Sequence, residues 1–476
     1  MSEVRVNKIS PRSGTTVTLG GNLASNSNDI IFADSDKAIF GAGSDLEIFH
    51  NGSNSYISDN GTGDLYIRGS SQIRLTNTGA SENYAVFNDN GAVSLYHDNS
   101  LKFETTATGV TVTGTLTATQ FVGGGLNPYR NIIINGDMSI AQRGTSFTGL
   151  TDDAYTLDRF QYALFGSSGH GTYTVSQDTD IPSGQGFATS MKIDCTTADA
   201  SLASDVAIVL RQRVEGQNLQ YLKYGTANAE SLTLSFWIKS NLTGTGIINI
   251  FNANASRHIA ATYTIDVTNT WEKKTITFAG DTVSGFTNNT GTSMEVRFYL
   301  AAGSDFTSGT LATSWSSRVA TNDAVGITLD VGSSTSNEFY ITGVQLEAGT
   351  TASDFEFLPV DVNLQRCLRY FYKWVSTNLY NNICIGRIQS ATLGRGVFAF
   401  PQIMRATPSL SADGNFRVIG DQTLTLTGSG VSLGRANTNN IYIEMLGSGT
   451  GSTTSYACEM GANNDADAEI AFSAEL

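Results

Sequence analysis

The sequence predicts a mostly β protein, and three observations carry that prediction. Charged residues make up only 15% of the chain and Gly reaches 49 of 476, so Ser, Thr and Asn supply most of the polarity. Val- and Thr-rich segments alternate between turns with almost no helical periodicity. The chain also changes character once, at Gly123–Gly149 (GGGLNPYRNIIINGDMSIAQRGTSFTG). Short repetitive units precede that stretch, and long strands carrying Trp, Phe and Tyr follow it. The predicted order is a trimeric β-stalk of short repeats, a jelly-roll β-sandwich, one helix and a small C-terminal β domain. A chain of this length holds roughly two to four domains.

Residues 1–20 (MSEVRVNKISPRSGTTVTLG) alternate weakly and carry Arg5, Lys8 and Arg12. Such a peptide cannot fold alone, so it is either disordered or a docking tail that orders on a partner. Val4, Val6 and Ile9 are its apolar contacts. Residues 21–122 contain a degenerate repeat, in which Asp45–Ser53 (DLEIFHNGS) returns as Ala92–Ser100 (AVSLYHDNS). Each copy is a strand, an aromatic-His pair and a turn. Related strands are expected at Ala38–Phe40, Asp64–Ile67 and Ile73–Leu75. The turns NGSN, DNGTGD, DNGA and HDNS suit type I′ geometry. Strands of four or five residues with one apolar side cannot bury a core within one chain, so the repeats must stack on neighbours. Three copies around one axis is the simplest closed solution.

Residues 105–122 (TTATGVTVTGTLTATQFV) alternate Thr with apolar residues, a β-tract with one wet face. Residues 123–127 are a glycine-rich linker. The next domain, 128–360, opens with Asn131–Asp137 (NIIINGD), read as a buried strand and an Asn-Gly turn. In Leu232–Lys239, Leu232, Leu234, Phe236 and Ile238 share one face, opposite Thr233, Ser235, Trp237 and Lys239. In Met294–Leu300, Glu295, Arg297 and Tyr299 lie opposite Met294, Val296, Phe298 and Leu300. Further strands are expected at Ile247–Phe251, Ile259–Val267, Trp271–Phe278, Gly326–Val331 and Glu338–Glu347. Many antiparallel strands at this size argue a two-sheet jelly roll. Residues 361–375 (DVNLQRCLRYFYKWV) read as the one helix, with Leu364, Leu368, Phe371 and Val375 on one face and Asp361 or Asn363 as its cap. Short strands then fill 376–476.

Composition narrows the function. The net charge is −15 with no block of Lys or Arg, which argues against nucleic acid or an anionic membrane as partner. Cys195, Cys367, Cys384 and Cys458 lack metal or disulfide spacing and read as free thiols of a protein assembled in reducing cytoplasm. The start, Met1–Val6, has no apolar run of a signal peptide, and no segment approaches a membrane span. Release by lysis is the expectation for a role outside the cell.

These pieces together resemble a family. DLEIFHNGSNSYI, GTGDLYI and TGVTVTGTLTAT running into FVGGG are similar to bacteriophage tail fibre proteins, marine ones in particular. NIIINGDMSIAQRG and FYITGVQLEAGTTASDFEF resemble the fibre version of a carbohydrate-binding jelly roll. LQRCLRYFYKW with FPQIMRATPSL resembles a fibre C-terminal module. The resemblance covers nearly the whole chain. It implies a homotrimeric virion appendage, assembled in host cytoplasm. Its N-terminal residues 1–20 would join the tail or an adaptor protein, and its distal end would meet host surface polysaccharide without membrane insertion.

Each candidate site has a plainer rival. Trp237, Lys239, Arg297 and Tyr299 form a ligand face, since sugar rings stack on aromatics and basic groups bond hydroxyls; alternatively, that face packs on a neighbouring head. Asp137 and Glu347, at the two ends of the domain, match where carbohydrate-binding jelly rolls place a structural calcium; alternatively, Asp137 only bonds its own turn. His50 and His97 would form a metal ring in a trimer, or are polar strand ends. Asp152, Asp153 and the Asp158-Arg159 pair lack a burial context for glycoside hydrolysis and read as ion-paired turns. There is no HExxH or P-loop. The expectation is a non-enzymatic fibre attaching by multivalent weak glycan binding, with a polysaccharide depolymerase and a purely structural connector as rivals.

Overall fold

The computed structural model describes residues 30–114, 116, 129–166, 170–448 and 452–476. Val4, Val6, Ile9 and the linker 123–127 lie outside the described residues. The chain is mostly β and divides into two compact units, Met1–Gln120 and Phe121–Leu476.

In the first unit, Lys37–Phe40, Leu46–His50 and Ser55–Asp59 form a three-stranded antiparallel sheet. Gln72–Thr76, Asn83–Asn88, Val93–His97, Ser100–Thr106 and Gly109–Val112 form a five-stranded one. The two repeats are equivalent strands of different sheets, each ending in an exposed His, His50 or His97. His97 pairs with Ser100 across the HDNS turn, where Asp98 and Asn99 take φ of 49° and 53°. Both central residues at positive φ is the two-residue turn that Asp and Asn tolerate. Two expectations change here. Asp64–Ile67 forms no strand and leaves Leu65, Tyr66 and Ile67 exposed. The Thr-rich tract is not one strand either, because it folds back on itself with Thr106 opposite Gly109. Of the unit's described hydrophobic residues, Ala85 and Val86 alone are buried, while Ile57 is 60% exposed and Leu75 54%. One copy of this unit leaves its apolar sheet faces in water.

In the second unit two sheets face each other. A seven-stranded sheet runs Ala154–Tyr155, Gln161–Phe165, Ala207–Glu215, Thr292–Ala302, Gly244–Asn252, Arg257–Ile265 and Ser316–Ser317. A six-stranded sheet runs Glu272–Phe278, Leu232–Ser240, Glu338–Ala348, Ser190–Thr197, Thr172–Asp178 and Ser146–Phe147. The predicted inward sets meet between them. Leu232, Leu234, Phe236 and Ile238 share one core with Met294, Val296, Phe298 and Leu300, and Phe236 and Phe298 pack edge to face at 5.3 Å. This is the alternating two-sheet core of a β-sandwich.

Three elements differ from expectation. Asn131–Asp137 is buried but not a strand, because its amides bond in different directions. Ile132 N–H donates to the Leu346 carbonyl (2.8 Å), Ile133 N–H to Asn131 Oδ1 (3.0 Å) and Ile134 N–H to Gln212 Oε1 (2.8 Å). Gly136 passes so close that a Cβ there would stand 2.0 Å from the Val344 carbonyl oxygen. Gly326–Val331 is a loop leading into the short turn Val331–Ser333. The helix is shorter than 361–375. It spans Val360–Leu368 with Pro359 at its N-cap and no side-chain cap, so neither Asp361 nor Asn363 caps it. Phe371–Val375 is instead a strand paired with Glu469–Ser473, where aromatic and β-branched side chains gain a ladder and a core.

Ser409–Asp413 completes a three-stranded sheet with these two strands, and the remaining C-terminal strands form a seven-stranded sheet, around Phe416, Val418, Ile443, Met460 and Phe472. Buried charges tie this module to the sandwich. Glu215 accepts from Arg369 Nε and Nη2 (2.7 Å each) and from the Tyr370 hydroxyl (2.6 Å). Glu475 pairs with Arg143 (3.0 Å) and with the fully buried Arg159. The four cysteines are unpaired.

Candidate functional site

A cavity of about 360 Å³ opens on the outward face of the six-stranded sheet. Trp237 stands at its centre, half-buried, because strand alternation turns it away from the Phe236/Ile238 core. Across it lie Phe187, Phe355 and Phe357, whose ring centroids are 4.9–5.1 Å apart in all three pairs. Phe357 is 50% exposed. A β-bulge shapes the floor. The register slips between Ser235 and Trp237 opposite Thr342–Gln345, and Gly343 takes φ 62°. A Cβ on Gly343 would come within 2.6 Å of Phe187 and 3.1 Å of Trp237, so a side chain there would fill the cleft.

Polar groups ring this aromatic floor. Lys273 lies directly opposite Trp237 on the edge strand, is exposed, and has no carboxylate within ion-pair distance among the described residues. Gln185 and Asp354 line the other side. Half-exposed aromatic rings flanked by one cation, one carboxylate and one amide can stack on a sugar ring and bond its hydroxyls.

The structure separates the predicted ligand residues. Lys239 lies two positions from Trp237 on the same face but is committed elsewhere. It pairs with Asp180 and stands 4.4 Å from the Tyr340 ring centroid, while Trp271 Nε1 donates to Asp180 (2.9 Å). Arg297 and Tyr299 do not share this face at all. They belong to the seven-stranded sheet, where Arg297 donates to Glu295 (2.9 Å) and stacks 4.2 Å over Phe251. Tyr299 is fully buried. The physical reason is a cover: Phe306 and Ala324, from the segment after the Thr292–Ala302 strand, pack on Tyr299 together with Val209 and Ile247.

The proposed calcium pair does not form one donor set. Asp137 Oδ1 accepts from Asn363 Nδ2 (3.1 Å). Glu347 accepts from Gln345 Nε2 (2.9 Å) and from Ser353 N–H and Oγ (2.9 and 2.7 Å), with Arg130 at 3.8 Å. Both carboxylates face hydrogen-bond donors, which does not fit a cation. No cluster of three metal-ligating side chains occurs among the described residues.

The acidic residues near 152–159 also settle into structure. Asp153 pairs with Arg211 and Arg213, and Asp152 accepts from Leu164 N–H (2.9 Å). Contrary to expectation, Asp158 does have a burial context, and burial pushes its carboxyl above the ordinary value against the pull of Arg143. Both its oxygens are taken by Gln142 N–H (2.7 Å) and Nε2 (2.5 Å).

The residues that sequence reasoning missed are Phe187, Phe355, Phe357, Lys273 and Gly343. The Phe355-Glu356-Phe357 alternation just after the last sandwich strand was the available signal.

No protein-family model matches the chain, and no curated protein matches it. Among solved structures, the enzymatically active domain of tailspike protein 4 from bacteriophage CBA120 aligns at 16% identity and a TM-score of 0.26. That alignment covers 47% of this chain and 22% of the tailspike domain, so the chain spans about a fifth of that protein's length. A putative sugar binding protein from Bacteroides thetaiotaomicron aligns at 13% and 0.25, covering 46% of this chain and 99% of the other. The family 11 carbohydrate-binding module from Clostridium thermocellum, in complex with a mixed-linked tetrasaccharide, aligns at 13% and 0.22, covering 44% and 98%. These three are among the solved structures to which the chain is faintly similar.

Proposed function

We propose that this chain is a non-enzymatic bacteriophage tail fibre whose sandwich binds host surface glycan in the Trp237 cleft. The observation that carries the reading is the cleft itself: a half-buried Trp237 and a half-exposed Phe357 above a glycine floor, with Lys273, Gln185 and Asp354 at the rim. A monomeric protein gains nothing by leaving such rings wet, whereas sugar recognition uses them. The placement of the whole in a phage fibre rests on the sequence resemblance.

Assembly as a homotrimer is part of the same proposal. The first unit exposes Ile48, Ile57, Leu75, Phe87 and Leu95 along its strands, and copies of the same chain would cover these faces. Three weak clefts per fibre would then act by avidity. Sedimentation equilibrium of the full-length protein should return three times the chain mass of 50.6 kDa; a folded monomer overturns the assembly part.

The cleft is tested by Trp237→Ala. Loss of the ring at a ligand face costs about 2 kcal/mol of binding, so glycan binding and adsorption to host cells should fall roughly thirtyfold with thermal unfolding unchanged. A variant that melts earlier and also binds less would mean that Trp237 is a packing residue. Release of reducing sugar from host envelope glycan by the wild type would replace the non-enzymatic reading with a depolymerase.

A further inference from the structure

A second cavity, of about 290 Å³, lies where the start of the sandwich meets the Val360–Leu368 helix. Its charge is lopsided. Arg213, Arg366 and Arg369 line it, and no Asp or Glu does, in a chain of net charge −15. Two of the three guanidinium groups have partners. Arg369 is held by Glu215 (2.7 Å), and Arg213 by Asp153 and Glu295 (3.4 Å each). Arg366 has none: among the described residues no carboxylate lies within ion-pair distance, and its one hydrogen bond donates to the Asn131 carbonyl (3.0 Å).

Removing a guanidinium from water without a paired counter-ion is costly, and burial pushes the Arg366 pKa down although the Glu356 carboxylate, beyond ion-pair distance, pulls it back in part. Arg366 sits in the last turn of its helix, where the helix dipole favours a cation only modestly. That is too little to replace an ion pair inside a recess. The remaining walls suit a ring with hydroxyls. Tyr129 and Tyr221 are 58% and 45% exposed, and Asn218 adds an amide. Gln212 is no free donor, since both ends of its amide are fixed on Ile134 (2.8 and 2.9 Å).

We propose that this cavity is a second binding site that takes a single anionic sugar unit, a uronic acid or a sulfated hexose. Arg366 engages the anion, and Tyr221 and Tyr129 flank the ring. The fork geometry of guanidinium serves carboxylate and sulfate alike. The assignment does not depend on the Trp237 cleft.

The test is ligand-observed saturation-transfer NMR on the full-length chain, with glucuronic acid, glucose 6-sulfate, glucose and acetate as separate probes. At least one anionic sugar should bind, and the two arms show which anion is preferred. Glucose and acetate should bind at least tenfold more weakly. Arg366→Met and Tyr221→Ala should each weaken the anionic sugar at least tenfold. Should Arg366→Met fail to fold for want of its bond to Asn131, Tyr221→Ala decides, because the Tyr221 hydroxyl makes no hydrogen bond among the described residues. Equal binding of glucose or acetate, binding of neither anionic sugar, or an unchanged Tyr221→Ala variant overturns the assignment. So does loss of the anionic sugar in Trp237→Ala, which would move that binding to the other cleft.

Discussion

Glu215→Gln is the sharpest probe of how the sandwich and the C-terminal module hold together. Glu215 ends a sandwich strand, is fully buried, and accepts four hydrogen bonds. Arg369 supplies two (2.7 Å each), the Tyr370 hydroxyl one (2.6 Å) and Gln217 Nε2 one (2.8 Å). Glutamine keeps the shape but removes the charge and turns one acceptor into a donor facing donors. Breaking a buried pair by removing one partner costs about 3–5 kcal/mol. Because the shape is kept, the lower end, about 3 kcal/mol, is expected. At roughly 2 °C per kcal/mol for a large unit, the melting temperature in scanning calorimetry should fall by about 6 °C. The contact joins two modules, so the transition should also broaden or split. Replacing both partners, Glu215→Gln with Arg369→Gln, should recover part of the loss, a coupling of about 1–2 kcal/mol. An unchanged transition in Glu215→Gln would refute the argument that this ion pair helps hold the modules together.

Two further outcomes follow from buried polar groups on the neighbouring strand of the same sheet. Tyr299 is fully buried and its hydroxyl has no hydrogen-bond partner among the described residues, so Tyr299→Phe should leave stability unchanged or raise it by up to about 1–3 kcal/mol of relieved desolvation, read as an unchanged or higher melting temperature. Adsorption should not change; a loss of adsorption would return Tyr299 to the ligand face. Burial alone would push the Glu295 carboxyl up, but Arg297, Arg211 and Arg213 outweigh it and hold it below the ordinary value. A depressed folded pKa stabilises above the unfolded value of about 4.3 and loses that stabilisation as pH falls through the folded one. The wild type should therefore melt above Glu295→Gln at pH 7, with the gap closing below about pH 4; a gap that widens in acid would contradict the sign.

Sequence alternation read the inside of the sandwich well and its outside poorly, for one reason. The Leu232–Lys239 and Met294–Leu300 segments each show two faces, and the apolar faces do meet in one core. The polar faces look alike in sequence, one with Trp237 and Lys239, the other with Arg297 and Tyr299. What distinguishes them is a cover contributed by Phe306 and Ala324, which come from a stretch with no periodicity of its own. The helix was misjudged at its end for a similar reason. Phe371–Val375 fits either a helical face or a strand, and the ladder partner that decides it, Glu469–Ser473, lies about a hundred residues away.

The cleft was illegible because it is assembled from segments remote in sequence, yet one short stretch shows how the chain builds it. In Phe355-Glu356-Phe357 the side chains part company. Phe355 and Phe357 turn to Phe187 and wall the cleft around Trp237. Glu356 turns the other way, and its two oxygens accept the backbone N–H groups of Tyr129 (2.9 Å), Arg130 (3.2 Å) and Asn131 (3.0 Å). The same alternation that turns two aromatics into the cleft therefore pins the first residues of the domain to its last. A carboxylate accepting three amides fixes the backbone on either side of it, so the two phenylalanines are held in place around the cleft. Tyr129 and Asn131, held by Glu356, are also walls of the arginine-lined cavity. Both candidate sites thus depend on one half-buried anchor, whose backbone partners, more than two hundred residues away, could not be guessed from a three-residue alternation alone.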